Sequence, residues 1–189
     1  MTVFQDIQAG TIPARLTVDE VYALTEAGVF RENDNFELIE GEIVPMAAAK
    51  ANWHEIVKSR LNRALILSLP DDARLFVEAS VTLAPDTLVE PDLAVWRKGG
   101  LPREMRGPDL LLVIEVADSS IGYDLRVKRG IYARHGVRDY WVVDAVRQTI
   151  RVHRDPVDGR YADVREHEGK DLVPALLLPT VAIRLDELD

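Results

Sequence analysis

The sequence predicts an α/β fold in which helices flank a mixed sheet, and three observations lead to this prediction. The chain has 189 residues, of which 47% are hydrophobic and 29% are charged, a balance that suits one domain with a filled core. Helix signals and strand signals alternate along it in the order helix, strands, helix, strands, helix, strands. The run from Leu110 to Val116 is almost unbroken in its apolar character, as in a strand buried on both faces. We therefore expect an N-terminal arm over residues 1–16 and a single domain over residues 17–189.

The first half of the chain contains two predicted helices separated by a hairpin. The expected bounds are Thr17 to Gly28 for the first helix, Phe36 to Glu40 and Glu42 to Ala47 for two strands with Gly41 in the bend, and Asn52 to about Leu69 for the second helix. Thr17 is followed three residues later by Glu20, which is the pattern of a capping box. Asn52 is a suitable cap for the second helix, and Pro70 stops it.

The second half is predicted to be mainly extended. The expected elements are strands at Leu75 to Leu83, Leu93 to Trp96 and Asp109 to Val116, a loop at Lys98 to Pro108, a helix at Asp124 to His135, paired strands at Arg138 to Asp144 and Ile150 to His153, and short strands with a last turn from Tyr161 to Asp189. Gly136 closes the helix, because glycine readily adopts the left-handed conformation that ends one. The strand that contains Leu110 to Val116 is expected at the centre of the sheet.

Composition excludes several classes of site and partner. The chain has no cysteine, which rules out disulfides and thiolate metal sites. Its net charge of −9 argues against simple nucleic-acid binding, which normally needs a basic face, so such a role would require a local basic patch or divalent ions. The segment from Met1 to Arg15 does not have the pattern of a secretory signal, and no apolar run is long enough to cross a membrane. We therefore expect a cytoplasmic protein without a membrane partner.

Two carboxylates in apolar surroundings are the first candidates for a site. Glu115 lies inside the central apolar strand, where a carboxylate is costly unless it is paired, hydrogen-bonded or bound to a cation. Asp92 comes directly before a second apolar strand, Leu93 to Trp96. Neighbouring strands could bring both acids to one divalent ion. The alternatives are that Glu115 meets solvent or an arginine at the strand's end, and that Pro91 and Asp92 form an ordinary turn.

Lys128 is the third candidate, because helical geometry turns it toward the core. With about 100° of rotation per residue, an apolar arc contains Leu125, Val127, Ile131 and Tyr132, and Lys128 falls inside it with Asp124 and His135. Arg126, Arg129 and Arg134 fall outside this arc. An inward lysine can also extend past the core to solvent, or pair with Asp124 one turn earlier.

Glu37 and His54 are weaker candidates. Glu37 points to the strand face opposite Phe36 and Leu38, where it could join an acidic cluster or form the solvated side of a hairpin. His54 lies at the edge of the apolar stripe of the second helix, a position that also suits an ordinary core or surface histidine. No histidine and acid are spaced to activate Ser119 or Ser120, and the chain has no glycine-rich phosphate loop.

These residues, taken together, resemble the Uma-two family, which is assigned to the PD-(D/E)XK nuclease superfamily with the restriction-endonuclease-like fold. The resemblance spans about Thr17 to Tyr161. It rests on the segments Phe36 to Ile43, Pro91 to Val95, Val113 to Val116, Asp124 to Lys128 and Gly136 to Asp144, together with His54, Tyr132 and Ala133.

The resemblance implies a role for several residues. Asp92 and Glu115 would be the two acids of the nuclease signature, and Glu37 would be an acid of an early strand that often completes such a metal site. The signature lysine normally lies two residues after the second acid, where this chain has Ala117, and Lys128 matches a lysine moved to the following helix. His54 matches a recurrent histidine to which no role is assigned. After Glu115 and Val116 the family usually reads Leu-Ser-Pro-Ser-Thr, whereas this chain reads Ala-Asp-Ser-Ser-Ile over residues 117–121.

The implied function is metal-dependent cleavage of nucleic acid, with DNA as the expected substrate. Carboxylates without thiols suit Mg²⁺ or Mn²⁺, which Asp92 and Glu115 would hold, with Asp124 as a further accessory residue. Lys128 would orient a water or offset developing negative charge. A basic rim is expected from the arginines near the site in sequence, Arg103, Arg106, Arg126 and Arg129, which could equally be ordinary solvated surface.

Two further expectations concern the class of protein and its assembly. The main alternative is a non-catalytic interaction module on a nuclease scaffold, which the net charge of −9 favours and the set of Asp92, Glu115 and Lys128 disfavours. A homodimer is also expected, with the apolar stretch from Leu172 to Leu178 as its interface, unless that stretch packs on its own domain.

Overall fold

The structure, a computed structural model, describes residues 5–6, 9, 15–31, 34–46, 52–99, 101, 104–117 and 124–188. The helices are α1 (Val18–Glu26), α2 (Asn52–Ser68) and α3 (Arg129–Arg134). The strands are β1 (Phe36–Ile39), β2 (Glu42–Pro45), β3 (Ala73–Val77), β4 (Val81–Ala84), β5 (Thr87–Val89), β6 (Leu93–Arg97), β7 (Leu110–Ala117), β8 (Asp139–Asp144), β9 (Thr149–Val157), β10 (Arg160–Glu168), β11 (Val173–Pro174) and β12 (Ala182–Ile183). A π-helical turn, Asp124–Lys128, leads directly into α3. Among the helices so described, none has the length and apolar character that a membrane crossing requires.

A six-stranded mixed sheet forms the centre of the fold, in the order β10-β9-β8-β7-β6-β3. Strand β7 pairs in parallel with β8 and antiparallel with β6. All eight residues of β7 are buried, which explains its continuous apolar sequence. A separate four-stranded sheet has the order β2-β1-β5-β4, and β11 pairs with β12.

The two faces of β7 pack into different parts of the core. Leu112, Ile114 and Val116 face a cluster that contains the apolar residues of α2 and the C-terminal segment. Val113 and Ala117 face a second cluster, to which α3 and the four-stranded sheet contribute. Because side chains alternate along a strand, Glu115 points to the same face as Val113 and Ala117, toward α3.

The local signals at the start of the chain are confirmed. The Thr17 hydroxyl accepts a hydrogen bond from the backbone N–H of Glu20, and the Glu20 carboxylate accepts one from the backbone N–H of Thr17. Gly28 follows α1 with a φ of +75°. The hairpin of β1 and β2 turns at Glu40 and Gly41, whose φ angles of +51° and +83° place both in the left-handed region.

Two predicted strand regions have the wrong bounds, and one sheet was not predicted. The single extended run expected from Leu75 to Leu83 is two strands in two different sheets, because the chain bends after β3 at Glu78, whose φ is +50°. The short strands expected after Tyr161 include β10, which is nine residues long and pairs along its length with β9. The one mixed sheet is accompanied by a second sheet built from β1, β2, β4 and the unpredicted β5.

The C-terminal stretch from Leu172 to Leu178 packs mainly on its own domain. Val173 and Leu178 are buried in the main core, whereas Leu172 and Leu176 are exposed. The backbone N–H of Leu176 donates to the buried Asp139 carboxylate over 2.6 Å, which ties this segment to β8. The homodimer therefore stays a prediction, with two exposed leucines available for it.

His153 is fully buried on β9 and makes the fold sensitive to acid. Its ring lies between Tyr140 and Tyr161, with ring centroids 5.2 Å and 5.6 Å away, and its Nδ1 donates to the Tyr140 carbonyl oxygen over 3.3 Å. Burial lowers the pKa of His153 to about 4 from its ordinary value of 6.5. The unfolded chain therefore takes up the proton first as the pH falls, and stability that is fully present above pH 6.5 is lost between pH 6.5 and about 4.

We expect His153→Phe to remove this part of the pH dependence. In the wild type, protonation of His153 should reduce the free energy of unfolding by about 3 kcal/mol between pH 6.5 and pH 4, since one pKa unit is about 1.4 kcal/mol. Urea unfolding at a series of pH values should give a shallower dependence in the variant, whatever its absolute stability. Parallel curves for the two proteins would show that His153 does not titrate in this way.

Candidate active site

Asp92 and Glu115 face each other across the two neighbouring strands β6 and β7. Leu93 pairs with Ile114, so Asp92, just before β6, lies opposite Glu115. Each acid binds the backbone of the other strand: the N–H of Val116 donates to Asp92 Oδ2 over 2.8 Å, and the N–H of Asp92 lies 3.4 Å from Glu115 Oε2. The two residues are only 5% and 4% exposed. Adjacent strands thus bring the two predicted acids together in a buried position.

Lys128 points inward at these acids, as its helical position predicts. Its side chain is buried, and Nζ lies 2.9 Å from Glu115 Oε1 and 3.1 Å from Glu37 Oε1. The same rotation per residue placed Val127 in the apolar arc that should face the core, but Val127 is 41% exposed. The turn that carries both residues is π-helical, so its rotation per residue is smaller than the 100° of an α-helix.

Glu37 joins the cluster from the other sheet. It is 2% exposed, and its Oε1 contacts Lys128 Nζ and accepts a hydrogen bond of 3.0 Å from the backbone N–H of Glu90. Glu90 follows β5, which pairs with β1, so a neighbouring strand of the four-stranded sheet holds this carboxylate. Glu37 therefore lies in the interior of the molecule and not on a solvated hairpin face.

Tyr132 is part of the cluster, although its apolar position in the sequence predicted only a core residue. Its hydroxyl donates to Glu115 Oε1 over 2.9 Å, and its ring is fully buried. Burial raises the pKa of Tyr132 well above its ordinary value, and the charges of Glu115 and Glu37 raise it further. Tyr132 thus remains a hydrogen-bond donor at any working pH. Its place one turn after Lys128 on the same helical face was the available signal.

His54 approaches the cluster from α2. Its Nε2 lies 3.1 Å from Asp92 Oδ2, and its ring is buried. An ionised carboxylate only accepts hydrogen bonds, so Nε2 carries the proton in this contact. The histidine that the sequence left without a role therefore contacts one of the two strand acids directly.

The charges of the cluster are not balanced among its main members. Glu37, Asp92 and Glu115 supply three carboxylates, against the ammonium group of Lys128 at 2.9–3.1 Å from two of them and the His54 ring at 3.1 Å from Asp92. Removing several like charges from water is costly unless cations lie close to them. An arrangement with more buried carboxylates than cations is the kind that favours a bound cation.

The donor set suits a hard cation with an open coordination sphere. Among the residues that the structure describes, no group of three or more histidine or acidic side chains is arranged to hold a metal ion. Mg²⁺ usually takes one or two protein carboxylates and completes its octahedron with water and substrate phosphate oxygens. Asp92 and Glu115, two oxygen donors on adjacent strands, fit that pattern better than they fit a closed structural site.

The predicted accessory residues have mixed placements. Arg106 lies before β7, whose first residue is about 17 Å along the strand from Glu115, and its guanidinium contacts the backbone oxygens of Met105 and Thr82. Arg126 and Arg129 are exposed on the turn and helix that carry Lys128. Arg103, the side chain of Asp124 and the segment 118–121 lie outside the described residues.

Comparison with known proteins gives a family match and a match of fold. Residues 18–186 match the model of the Uma2 family, described as "Putative restriction endonuclease". The structure is similar to that of a putative nuclease belonging to DUF820 from Anabaena variabilis, with a TM-score of 0.67, 20% sequence identity, and coverage of 91% of this chain and 96% of that one. No curated protein matches the sequence. The structural likeness confirms the predicted α/β nuclease fold.

Proposed function

The chain belongs to the Uma2 family, and we propose that it is a Mg²⁺- or Mn²⁺-dependent endonuclease that hydrolyses phosphodiester bonds in nucleic acid, with DNA as the expected substrate. The observation that carries the proposal is the buried cluster of Glu37, Asp92, Glu115 and Lys128, which joins two neighbouring strand ends, a helix and a second sheet. Family membership supports nuclease chemistry in general, and the cluster supports its location and its need for a cation.

Asp92 and Glu115 would hold the divalent ion. When bound, the ion would neutralise charge at the phosphate and lower the pKa of a water molecule. The backbone N–H groups of Asp92 and Val116 fix the directions of the two carboxylates. Such fixed directions support catalysis, because the ligands need not reorganise during the reaction.

Lys128 and Tyr132 act on the same oxygen of Glu115. Both donate to Oε1 over 2.9 Å, which fixes that side of the carboxylate. The ammonium group of Lys128 would orient the attacking water or offset the negative charge that develops on the phosphate. Glu37 contacts the same ammonium group at 3.1 Å and would help to hold it in place.

Attraction of a polyanion to a protein of net charge −9 requires local cations. Arg126 and Arg129 are exposed on the turn and helix that carry Lys128, and they would contact phosphates beside the site. Binding through arginines releases counterions, so affinity for nucleic acid should fall steeply as salt rises. The salt dependence of affinity therefore distinguishes binding through phosphates from binding through contacts that need no phosphate.

A cleavage panel tests the proposal. The purified protein should nick supercoiled plasmid or cut single-stranded DNA or RNA with Mn²⁺ or Mg²⁺, and should lose this activity in excess chelator. The relative rates on the three substrates identify the nucleic acid that the site prefers. Cleavage that persists at full rate in chelator would contradict the proposed cation dependence.

A non-catalytic interaction module is the second candidate, because a net charge of −9 disfavours a polyanionic substrate. The two candidates differ in what Mn²⁺ should do. A ligand that binds only the native state raises the melting temperature, by an amount that follows its affinity and concentration. The endonuclease should gain thermal stability from Mn²⁺, whereas a module without a cation site should not.

A further inference from the structure

A second set of charged side chains connects α2 to Asp92, and neither the family description nor the proposed reaction assigns it a role. His54 contacts Asp92 Oδ2 through Nε2, and its Nδ1 lies 3.1 Å from Glu55 Oε1. Both nitrogens of the ring are therefore held by carboxylates on opposite sides. A ring fixed at both nitrogens has one orientation, which sets the direction of the hydrogen bond to Asp92.

Lys58 supports Glu55 from the next turn of α2. It is buried, and its Nζ donates to Glu55 Oε1 over 3.0 Å and to Glu78 Oε1 over 2.7 Å. The hydrogen bond from Lys58 is the largest cause of the lowered pKa of Glu55, so this carboxylate stays ionised near neutral pH. An ionised Glu55 is the acceptor that the Nδ1 side of His54 requires.

Glu78 links Lys58 to the backbone of Asp92. It follows β3, and its backbone N–H donates to the Asp92 carbonyl oxygen over 3.1 Å. The contacts thus run in a closed ring from the Asp92 side chain through His54, Glu55, Lys58 and Glu78 to the Asp92 backbone. The φ of +50° at Glu78 is unusual for a residue other than glycine, and at this bend the residue both turns the chain and closes the ring.

We propose that His54 is a positioning residue for Asp92, held in place by the ring of Glu55, Lys58 and Glu78. Asp92 Oδ2 receives two donors, His54 Nε2 and the backbone N–H of Val116 at 2.8 Å. Two donors on one oxygen fix the rotation of the carboxylate and so the direction of its other oxygen. This inference rests on the proposed function, because it assigns to His54 the orientation of a carboxylate that would hold the cation.

The test compares Mn²⁺ affinity, measured by calorimetry on the full chain, in His54→Ala and His54→Gln. The alanine variant should bind Mn²⁺ about 10- to 100-fold more weakly, the usual effect of losing a group that orients a metal ligand. Glutamine carries an amide nitrogen at the same number of bonds from Cβ as Nε2, so it can donate to Asp92 and should restore most of the affinity. Ser59→Ala, on the exposed side of the same helix, is the control for changes in α2 itself.

Recovery of Mn²⁺ affinity in His54→Gln distinguishes a positioning role of His54 from a packing role. If His54 served only to fill space in α2, the two variants would bind Mn²⁺ alike, and the proposal would be overturned. Wild-type affinity in His54→Ala would overturn it as well. Should the alanine variant not fold, Glu55→Gln tests the same ring, because it weakens the acceptor that orients the histidine and should also lower Mn²⁺ affinity.

The Mn²⁺ affinity of Asp92→Asn shows whether the positioning role of His54 or the cation site itself is refuted. If Asp92→Asn loses Mn²⁺ binding while His54→Ala keeps it, the cation site stands and only the positioning role is refuted. If Asp92→Asn binds Mn²⁺ like the wild type, the cation does not lie at Asp92, and the proposed function is refuted together with this inference.

Discussion

Asp92→Asn is expected to reduce nucleic-acid cleavage by about a thousandfold or more without unfolding the protein. Asparagine has the shape of aspartate, and its amide oxygen can accept the hydrogen bonds that His54 and Val116 donate to Oδ2. The amide NH₂ then takes the place of the other carboxylate oxygen, where it cannot serve as a ligand for a cation. The variant therefore loses one charge and one ligand while the surrounding contacts survive.

The measurement is the rate of plasmid nicking with Mn²⁺, in wild type and variant purified side by side. Asp163→Asn is the matched control, because Asp163 lies on the edge strand β10, where its carboxylate pairs with the exposed Arg165 of the same strand. This control should cut at the wild-type rate. Equal activity in wild type and Asp92→Asn would mean that a copurified nuclease is responsible, and the endonuclease proposal would end.

Lys128→Ala is expected to lower both activity and stability. Removal of the ammonium group leaves Glu37 and Glu115 buried without the cation that contacts both of them. Breaking a buried ion pair from one side typically costs about 3–5 kcal/mol of folding stability. The rate of cleavage should fall by about 100-fold or more, because alanine cannot replace the charge beside the phosphate.

Urea unfolding at neutral pH measures the loss of stability in Lys128→Ala, and Arg134→Ala provides the comparison. Arg134, on the helix that follows Lys128, forms an ion pair with Glu40, but both side chains are about half exposed. Loss of such a surface pair should change the free energy of unfolding by about 1 kcal/mol or less. If Lys128→Ala and Arg134→Ala cost the same, Lys128 is not the counterion of a buried site.

Added Mn²⁺ separates the two roles of Lys128. A divalent ion at Asp92 and Glu115 would supply positive charge near the carboxylates that the variant leaves uncompensated. Mn²⁺ should therefore recover part of the lost stability in Lys128→Ala, while the cleavage rate stays low. Recovery of both stability and cleavage would show that the lysine acts only as a structural counterion.

The acids at the strand ends and the lysine were predictable because their signals are local. Asp92 and Glu115 each stand out against an apolar strand, and strand pairing is enough to bring them together. The inward direction of Lys128 follows from helical periodicity, and its place beside the acids was implied by the family resemblance. The same periodicity gave the wrong direction for Val127, because a π-helical turn changes the rotation between residues. Such a turn could not be recognised in the sequence.

The partners of these residues depend on contacts between elements far apart in sequence. Tyr132 looks like any aromatic residue in a core, and its role becomes visible only when β7 places Glu115 beside its hydroxyl. His54 acquires its contact because the fold brings α2 beside Asp92, which lies 38 residues further along the chain. Glu78 lies in a run that reads as one continuous strand, so its bend and its bond to Asp92 could not be inferred from periodicity. Pairwise tertiary geometry, and not local propensity, decides these cases.

Diffraction from crystals soaked in Mn²⁺, recorded at the manganese absorption edge, tests whether one cation binds to both Asp92 and Glu115. A cation held by both acids should give an anomalous peak in contact with carboxylate oxygens of Asp92 and Glu115, and no such peak in crystals of Asp92→Asn. An empty position between the two acids at a Mn²⁺ concentration that supports cleavage, or a peak that Asp92→Asn leaves unchanged, would contradict this shared cation site.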